Sequence, residues 1–284
     1  MRGFLLTAAL CALVTTGHSG ALSAQAAPVQ PRVSDAALPR LPDGHPDLQG
    51  LWLKSTGGFQ GLFVGSLDGT NFAAGGGRGG ARGGRGGGGG VPARQYEYTP
   101  EAAAEREDRR RRGYEDPEAR CHLPGVPRAL DQPAALYPVQ IIQDEKYVAL
   151  LHEAMHDVRI IPTDNSPHPR NYWAWDGDSR GRWEGDTLVV DVSNFNGRTW
   201  LDMEGNFVDE NEHVLERFTL IDRDTILYEA TVTDPTVFVK PIEMRFTLKR
   251  VPADQQILEY SCLEGERSLQ HYTDEDGGKK RRVK

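Results

Sequence analysis

Apolar and polar residues alternate with a period of two over much of the second half of this chain, and that period predicts strands rather than helices. Over Ile242–Lys249, the residues Ile242, Met244, Phe246 and Leu248 point one way, while Glu243, Arg245, Thr247 and Lys249 point the other. Thr225–Val232 places Ile226, Tyr228, Ala230 and Val232 on one face, and Val214–Leu220 groups Val214, Phe218 and Leu220 with Glu216. Leu258, Tyr260 and Cys262 would share a face in a last strand. One buried and one solvated face is the pattern of antiparallel sheets.

The turns agree. Arg182–Trp183 enter Glu184–Gly185–Asp186, and the β-branched run Thr187–Val192 leaves it, a hairpin signature that continues into a tryptophan-bearing loop. Asp222–Arg223–Asp224 joins two further strands, and Leu48–Ser55 is a candidate first strand. A continuous strand is expected over 148–160, with Val148, Leu150, His152, Ala154, His156, Val158 and Ile160 on one face. Pro100–Arg112 has helical character, and the proline-rich stretch Cys121–Pro138 should be irregular. Many strands, short turns and no βαβ rhythm predict a mainly β domain, either an antiparallel up-and-down barrel or a β-sandwich.

The N-terminus changes the compartment. Arg2, the apolar run Phe4–Val14 and the sequence Ala24-Gln25-Ala26 form a signal peptide over residues 1–26. The apolar run is too short to span a bilayer, so no membrane span is expected and the protein is placed in the periplasm or outside the cell. Cys11 leaves with the signal. Of the 284 residues, 258 remain, and because Arg2 is lost the formal balance becomes 32 basic against 41 acidic. That balance argues against nucleic acid as the main partner.

Only Cys121 and Cys262 survive processing. In an oxidising compartment they suggest one disulfide, the alternative being two buried thiols. Residues 27–46 form a proline-rich linker and 47–272 a single β domain. Residues 73–94 are a glycine- and arginine-rich insertion, read as a disordered, solvated loop rather than an RNA-binding element. Residues 273–284 are a basic tail.

Several blocks resemble a family of exported bacterial proteins of unsettled function. They are Pro46-Asp47-Leu48-Gln49-Gly50-Leu51-Trp52, Arg120-Cys121-His122-Leu123-Pro124-Gly125-Val126-Pro127-Arg128 and Gly181 through Asp191. Arg198-Thr199-Trp200-Leu201-Asp202, His213-Val214-Leu215-Glu216-Arg217-Phe218 and Glu259-Tyr260-Ser261-Cys262 complete the set. The resemblance implies no reaction. The chain departs from the pattern in its Gly/Arg insertion and at Asp178, where members of the family often carry histidine. Gly50-Leu51-Trp52 also resembles the G-x-W of lipocalins, which implies an up-and-down barrel with room for one small ligand.

His152-Glu153-Ala154-Met155-His156 matches H-E-x-x-H, which binds zinc only when a helix brings both histidines to one face. On the expected strand the imidazoles stand roughly 13 Å apart, at about 3.3 Å per residue, so no metal is expected. Glu216 is the sharper oddity, because alternation buries a carboxylate that must then be paired or neutral. A structural ion pair with Arg182 or Arg245 would satisfy it. A general acid or base would use it, with His156, His213 and Asp202 as candidate companions. His152, Trp175, Trp183, Trp200 and Arg217 are candidate ligand-binding residues, the indoles offering flat surface near a barrel mouth.

The sequence thus predicts an exported barrel holding a small apolar or aromatic molecule in its interior, with no cofactor. The rival readings are a lyase, isomerase or hydrolase on the same scaffold, a zinc peptidase, and an assembly protein acting through its Gly/Arg segment.

Overall fold

The computed structural model describes residues 37–55, 96–131 and 137–264. The signal peptide, the Gly/Arg insertion, the basic tail and the first half of the proline-rich linker lie outside the described residues.

Nine strands form one antiparallel sheet: β1 (Gly50–Lys54), β2 (Val139–Gln143), β3 (Tyr147–His152), β4 (Val158–Pro162), β5 (Asp178–Glu184), β6 (Thr187–Ser193), β7 (His213–Asp222), β8 (Thr225–Thr233) and β9 (Ile242–Arg250). The spatial order is β4-β3-β2-β1-β9-β8-β7-β6-β5. Sequential strands are neighbours except β4 and β5, and β9 pairs with β1, with Leu53 opposite Lys249. The meander therefore closes on itself through its two ends, and the seam falls in its middle, between β4 and β5. The result is a nearly closed up-and-down barrel rather than a sandwich.

Alternation sets the contents of the barrel. From β7 to β9 the inward residues are Val214, Glu216, Phe218 and Leu220, then Ile226, Tyr228, Ala230 and Val232, then Ile242, Met244, Phe246 and Leu248, all buried. Trp52 is fully buried; its indole N–H donates to the Leu48 carbonyl at 2.9 Å, and the Arg250 guanidinium lies 4.2 Å from its ring centre. Residues 194–212 and 234–241 cross the end where β6 meets β7 and β8 meets β9, and they bury Phe195, Trp200, Leu201, Phe207, Val237 and Phe238 against the same core. The one α-helix among the described residues, α1 (Pro100–Arg111), starts at Thr99, whose hydroxyl accepts from the Ala102 N–H at 3.3 Å, with proline at the first turn.

The continuous strand expected over 148–160 is corrected. β3 ends at His152, a 3-10 turn spans Ala154–His156, and β4 returns antiparallel, with Leu150 opposite Arg159 and Val148 opposite Ile161. Met155 and His156 take positive φ values of 60° and 51°, a reversal that no glycine, proline or asparagine announces. Side-chain direction changes phase across the turn. Val148, Leu150 and His152 face inward as expected, but Val158 and Ile160 face outward while Arg159 and Ile161 face inward.

The last expected strand is also corrected. Residues 251–264 form no strand and lie as a strap. Glu153 Oε2 accepts from the Leu258 N–H, and His156 Nε2 from the Tyr260 N–H, each at 2.8 Å. The Cys121–Cys262 disulfide, with Cα atoms 5.7 Å apart, fastens the strap to the segment after α1. The sequence had left the pairing open against free thiols, and the disulfide forms.

Candidate functional site

Glu216 lies inside the barrel with none of its surface exposed, as alternation required. Its partner is Arg159, not Arg182 or Arg245. Arg182 pairs with Glu184 on the outer face, and Arg245 with Glu229. Both guanidinium ends of Arg159 reach the Glu216 carboxylate, Nη1 at 3.1 Å from Oε1 and Nη2 on Oε2. The Tyr228 hydroxyl donates to Glu216 Oε1 at 2.8 Å, and Arg159 Nε donates to Ser179 Oγ on β5 at 2.8 Å. Burial first, then the Glu216 charge, pushes the Tyr228 hydroxyl well above its usual range, so it stays a donor. Every charge in this cluster is met, which suits a brace across the seam.

The seam is tight where β4 meets the middle of β5, since a Cβ at Gly181 would stand 2.9 Å from the Ile161 side chain. Towards the end crossed by residues 194–212 it opens into a cleft of about 760 Å³. Leu123, Val158, Ile160 and Pro169 give it apolar sides, and Tyr172, Trp173 and Trp175 an aromatic wall. Tyr172 and Trp173 are 48% and 61% exposed. Trp175 stacks on His122, with ring centres 5.0 Å apart. The wall is carried by the loop 163–177. His168 ties that loop to the barrel, its ring nitrogens 2.6 Å from Asp178 Oδ2 and 2.9 Å from Asp191 Oδ1.

Asp157, Arg159, Asp176, Asp178, Ser179 and Asn196 supply the polar lining. Asp157 precedes β4 and is only 5% exposed, and Asp176 ends the loop. Gly177 makes the following corner at φ +62°, where a Cβ would meet the Ser193 carbonyl at 2.4 Å. The two aspartates lie close enough for the charge of one to shift the other. Asp157 Oδ2 and Asp176 Oδ1 receive no donor from any described residue. Burial, and then the charge of Asp157, pushes Asp176 up to about 8. Asp157 is raised as well, again mainly by burial.

This has a consequence for stability. Between about pH 4 and pH 8 the folded chain keeps a proton that Asp176 loses on unfolding, so its contribution to stability falls as pH rises through that window. Thermal melts from pH 5 to pH 8 should show a smaller loss of melting temperature for Asp176→Asn, which has nothing to ionise, than for the parent protein. An equal loss in both would show that Asp176 is ionised across the whole range.

The remaining sequence-named residues are dispersed. His152 is buried at the inner end of β3; burial, and then the Arg159 charge, drives it down to about 3, so it is neutral. His156 is exposed on the strap side, so the two histidines of the H-E-x-x-H stretch lie on a hairpin and share no helical face. His213 sits on the outer face, 3.2 Å from Asp191 Oδ2. Asp202 is buried in the loop above the barrel, where Asn206 and two backbone N–H groups hydrogen-bond it. Burial raises it to about 6. Trp200 is buried, with Arg109 5.8 Å from its ring centre. Trp183 stacks on His45 at 4.6 Å near the opposite hairpin end of β5, and Arg217 pairs outside with Glu184 at 3.0 Å. Trp175 alone of the named set lines the cleft, while Glu216 backs it through Arg159.

Sequence reading missed Asp157, Arg159 and Asp176. Arg159 was hidden by the unrecognised reversal at 153–157. Asp176 lies in a loop without periodicity, although the run Trp173-Ala174-Trp175-Asp176 was a visible signal of aromatic surface beside a carboxylate. Fold and site together define a nearly closed nine-stranded antiparallel barrel with an aromatic, acid-lined cleft at its seam. No family model, no curated protein and no solved structure matches the chain. Among the described residues no helix is long and apolar enough to cross a membrane.

Proposed function

We propose that this is an exported barrel protein that binds a small ring-bearing molecule, and that the molecule sits in the seam cleft. The single observation behind this reading is the aromatic wall. Two large rings, Tyr172 and Trp173, remain exposed beside a cavity instead of joining the core. Large exposed aromatics that converge on a concave site with few polar groups are the usual composition of a ligand pocket. The interior offers less, because Trp52, Phe218, Leu220, Tyr228 and Met244 fill it with almost no exposed surface. Export rests on the signal-peptide pattern of residues 1–26 and is supported by the Cys121–Cys262 bond.

The test is native mass spectrometry of the mature protein for a co-purifying ligand, followed by titration of that ligand into Trp173→Ala. The variant should melt within about 0.5 kcal/mol of the parent, since its ring is mostly solvated. Affinity should fall about tenfold, or roughly 1.4 kcal/mol, for one lost ring contact. Unchanged affinity would remove the cleft from the binding site.

A second reading, an enzyme on the same scaffold, is favoured by one observation, the pair of carboxyl groups of Asp157 and Asp176 in the cleft, each with a buried oxygen that receives no donor from any described residue. A carboxylic acid beside a carboxylate can give and take protons. On this reading the acid–base role moves from Glu216 and the histidines to that pair. Chemical change of the retained ligand on incubation, lost in Asp157→Asn, would establish it.

A further inference from the structure

We propose that the seam cleft binds an organic ammonium cation between its aromatic side chains and the carboxyl groups of Asp157 and Asp176. The inference rests on the reading of the cleft as the ligand site and deepens it by naming the ligand's chemistry.

Two independent features of the cleft converge on a cation. The first is aromatic. Tyr172, Trp173 and Trp175 line one wall, and the faces of such rings attract an ammonium group held within about 6 Å, more strongly once it is desolvated. The second is the charge of the polar lining. Asp157 is almost fully buried, yet its Oδ2 receives no donor from any described residue, and the same is true of Asp176 Oδ1. Burial favours a proton on Asp176, and that proton is the part of the arrangement that a fixed positive charge can replace.

The surrounding charges support the exchange. Arg159, the cation beside the pair, is engaged by Glu216 through both guanidinium ends, so it cancels one carboxylate and no more. Tyr228 and His152, which face the same cluster, are neutral. Asp178 is matched by Arg180 and His168. Glu212, a loop carboxyl near Asp176, is raised well above the carboxylate range, mainly by burial. The Asp157–Asp176 pair therefore carries one net negative charge with its proton and two without it. A bound ammonium meets two carboxylates, and one proton passes to the buffer. Mass and charge balance, and no bond other than O–H is broken.

The experiment is isothermal titration calorimetry of the mature chain with benzyltrimethylammonium, whose charge does not titrate, and with benzyl alcohol as the neutral ring of similar size. Each is run from pH 5 to pH 9 in two buffers of different ionisation heat. Affinity for the cation should rise by close to tenfold per pH unit below the titration of Asp176 and level off above about pH 8. Close to one proton should be released per cation bound at pH 6, and none with benzyl alcohol. Asp176→Asn, whose amide has the shape of the protonated carboxyl and nothing to ionise, should keep its melting transition. It should lose both the pH slope and proton release, and bind the cation at least tenfold more weakly at pH 8.

A cation that binds no tighter than benzyl alcohol at pH 8, or with no pH slope, overturns the proposal. If benzyl alcohol then still binds and Trp173→Ala weakens it, the cleft stands as a ligand site and only the cation assignment falls. If neither probe binds in a Trp173-dependent way, both readings fall together.

Discussion

Glu216→Gln should destabilise the protein by about 3–5 kcal/mol, because it strands the Arg159 guanidinium in the barrel wall without its counter-charge. In a domain of this size that corresponds to a melting temperature roughly 10 °C lower. Arg159 and Glu216 lie inside the wall with almost no exposed surface, so water cannot make good the loss. Replacing both residues together, as in Arg159→Met with Glu216→Leu, removes the stranded charge and should recover most of the stability. The comparison separates the brace from a proton-transfer role. A brace predicts that the double variant melts close to the parent, whereas Glu216→Gln melts unchanged only if Glu216 meets solvent. The second outcome would contradict the strand register in which Glu216 lies between Val190 and Ala230.

Removing the disulfide should cost a similar amount. Cys121 and Cys262 are separated by 141 positions, and closing a loop of that length lowers the entropy of the unfolded chain by the equivalent of about 5 kcal/mol in the chain-entropy model. The bond also fastens the strap 251–264, which among the described residues belongs to no strand and is held by the Glu153 and His156 contacts. The double variant Cys121→Ser with Cys262→Ser should therefore lose stability by denaturant titration and become sensitive to proteolysis within the strap before the barrel opens. A double variant with an unchanged denaturation midpoint would show that the loop is already ordered in the unfolded chain. Thiol labelling of the mature protein, denatured without reductant, should find no free cysteine.

These two expectations differ in how far the sequence could carry them. The inward position of Glu216 follows from a period-two pattern in β7, and the hairpins of β5–β6 and β7–β8 follow from turn residues a few positions apart. The same pattern could not name the partner of Glu216. Arg159 stands 57 positions away on a strand that is not hydrogen-bonded to β7, so only closure of the barrel brings the two together. The reversal at 153–157 was hidden for a local reason. Its positive φ values fall on Met155 and His156, residues that prefer other conformations and are held there by the pairing of β3 with β4 on either side. One missed turn then inverted the assignment of every side chain in β4, which is why Arg159 went unread and Val158 and Ile160 were expected inside.

Short-range physics was sufficient for the strands of the second half, their inward and outward faces, the helical start at Thr99–Pro100 and the burial of Glu216. Each depends on residues within one element or one turn. The closure of the meander through β9 and β1, the brace from Arg159 to Glu216 and the acid pair of Asp157 and Asp176 depend on segments that meet only when the sheet curls. Alternation specifies which face of a strand is buried, but not which strand lies across the barrel. The cleft is therefore a property of the tertiary structure alone: its aromatic wall comes from a loop without periodicity, and its acid pair from two positions brought together by the seam.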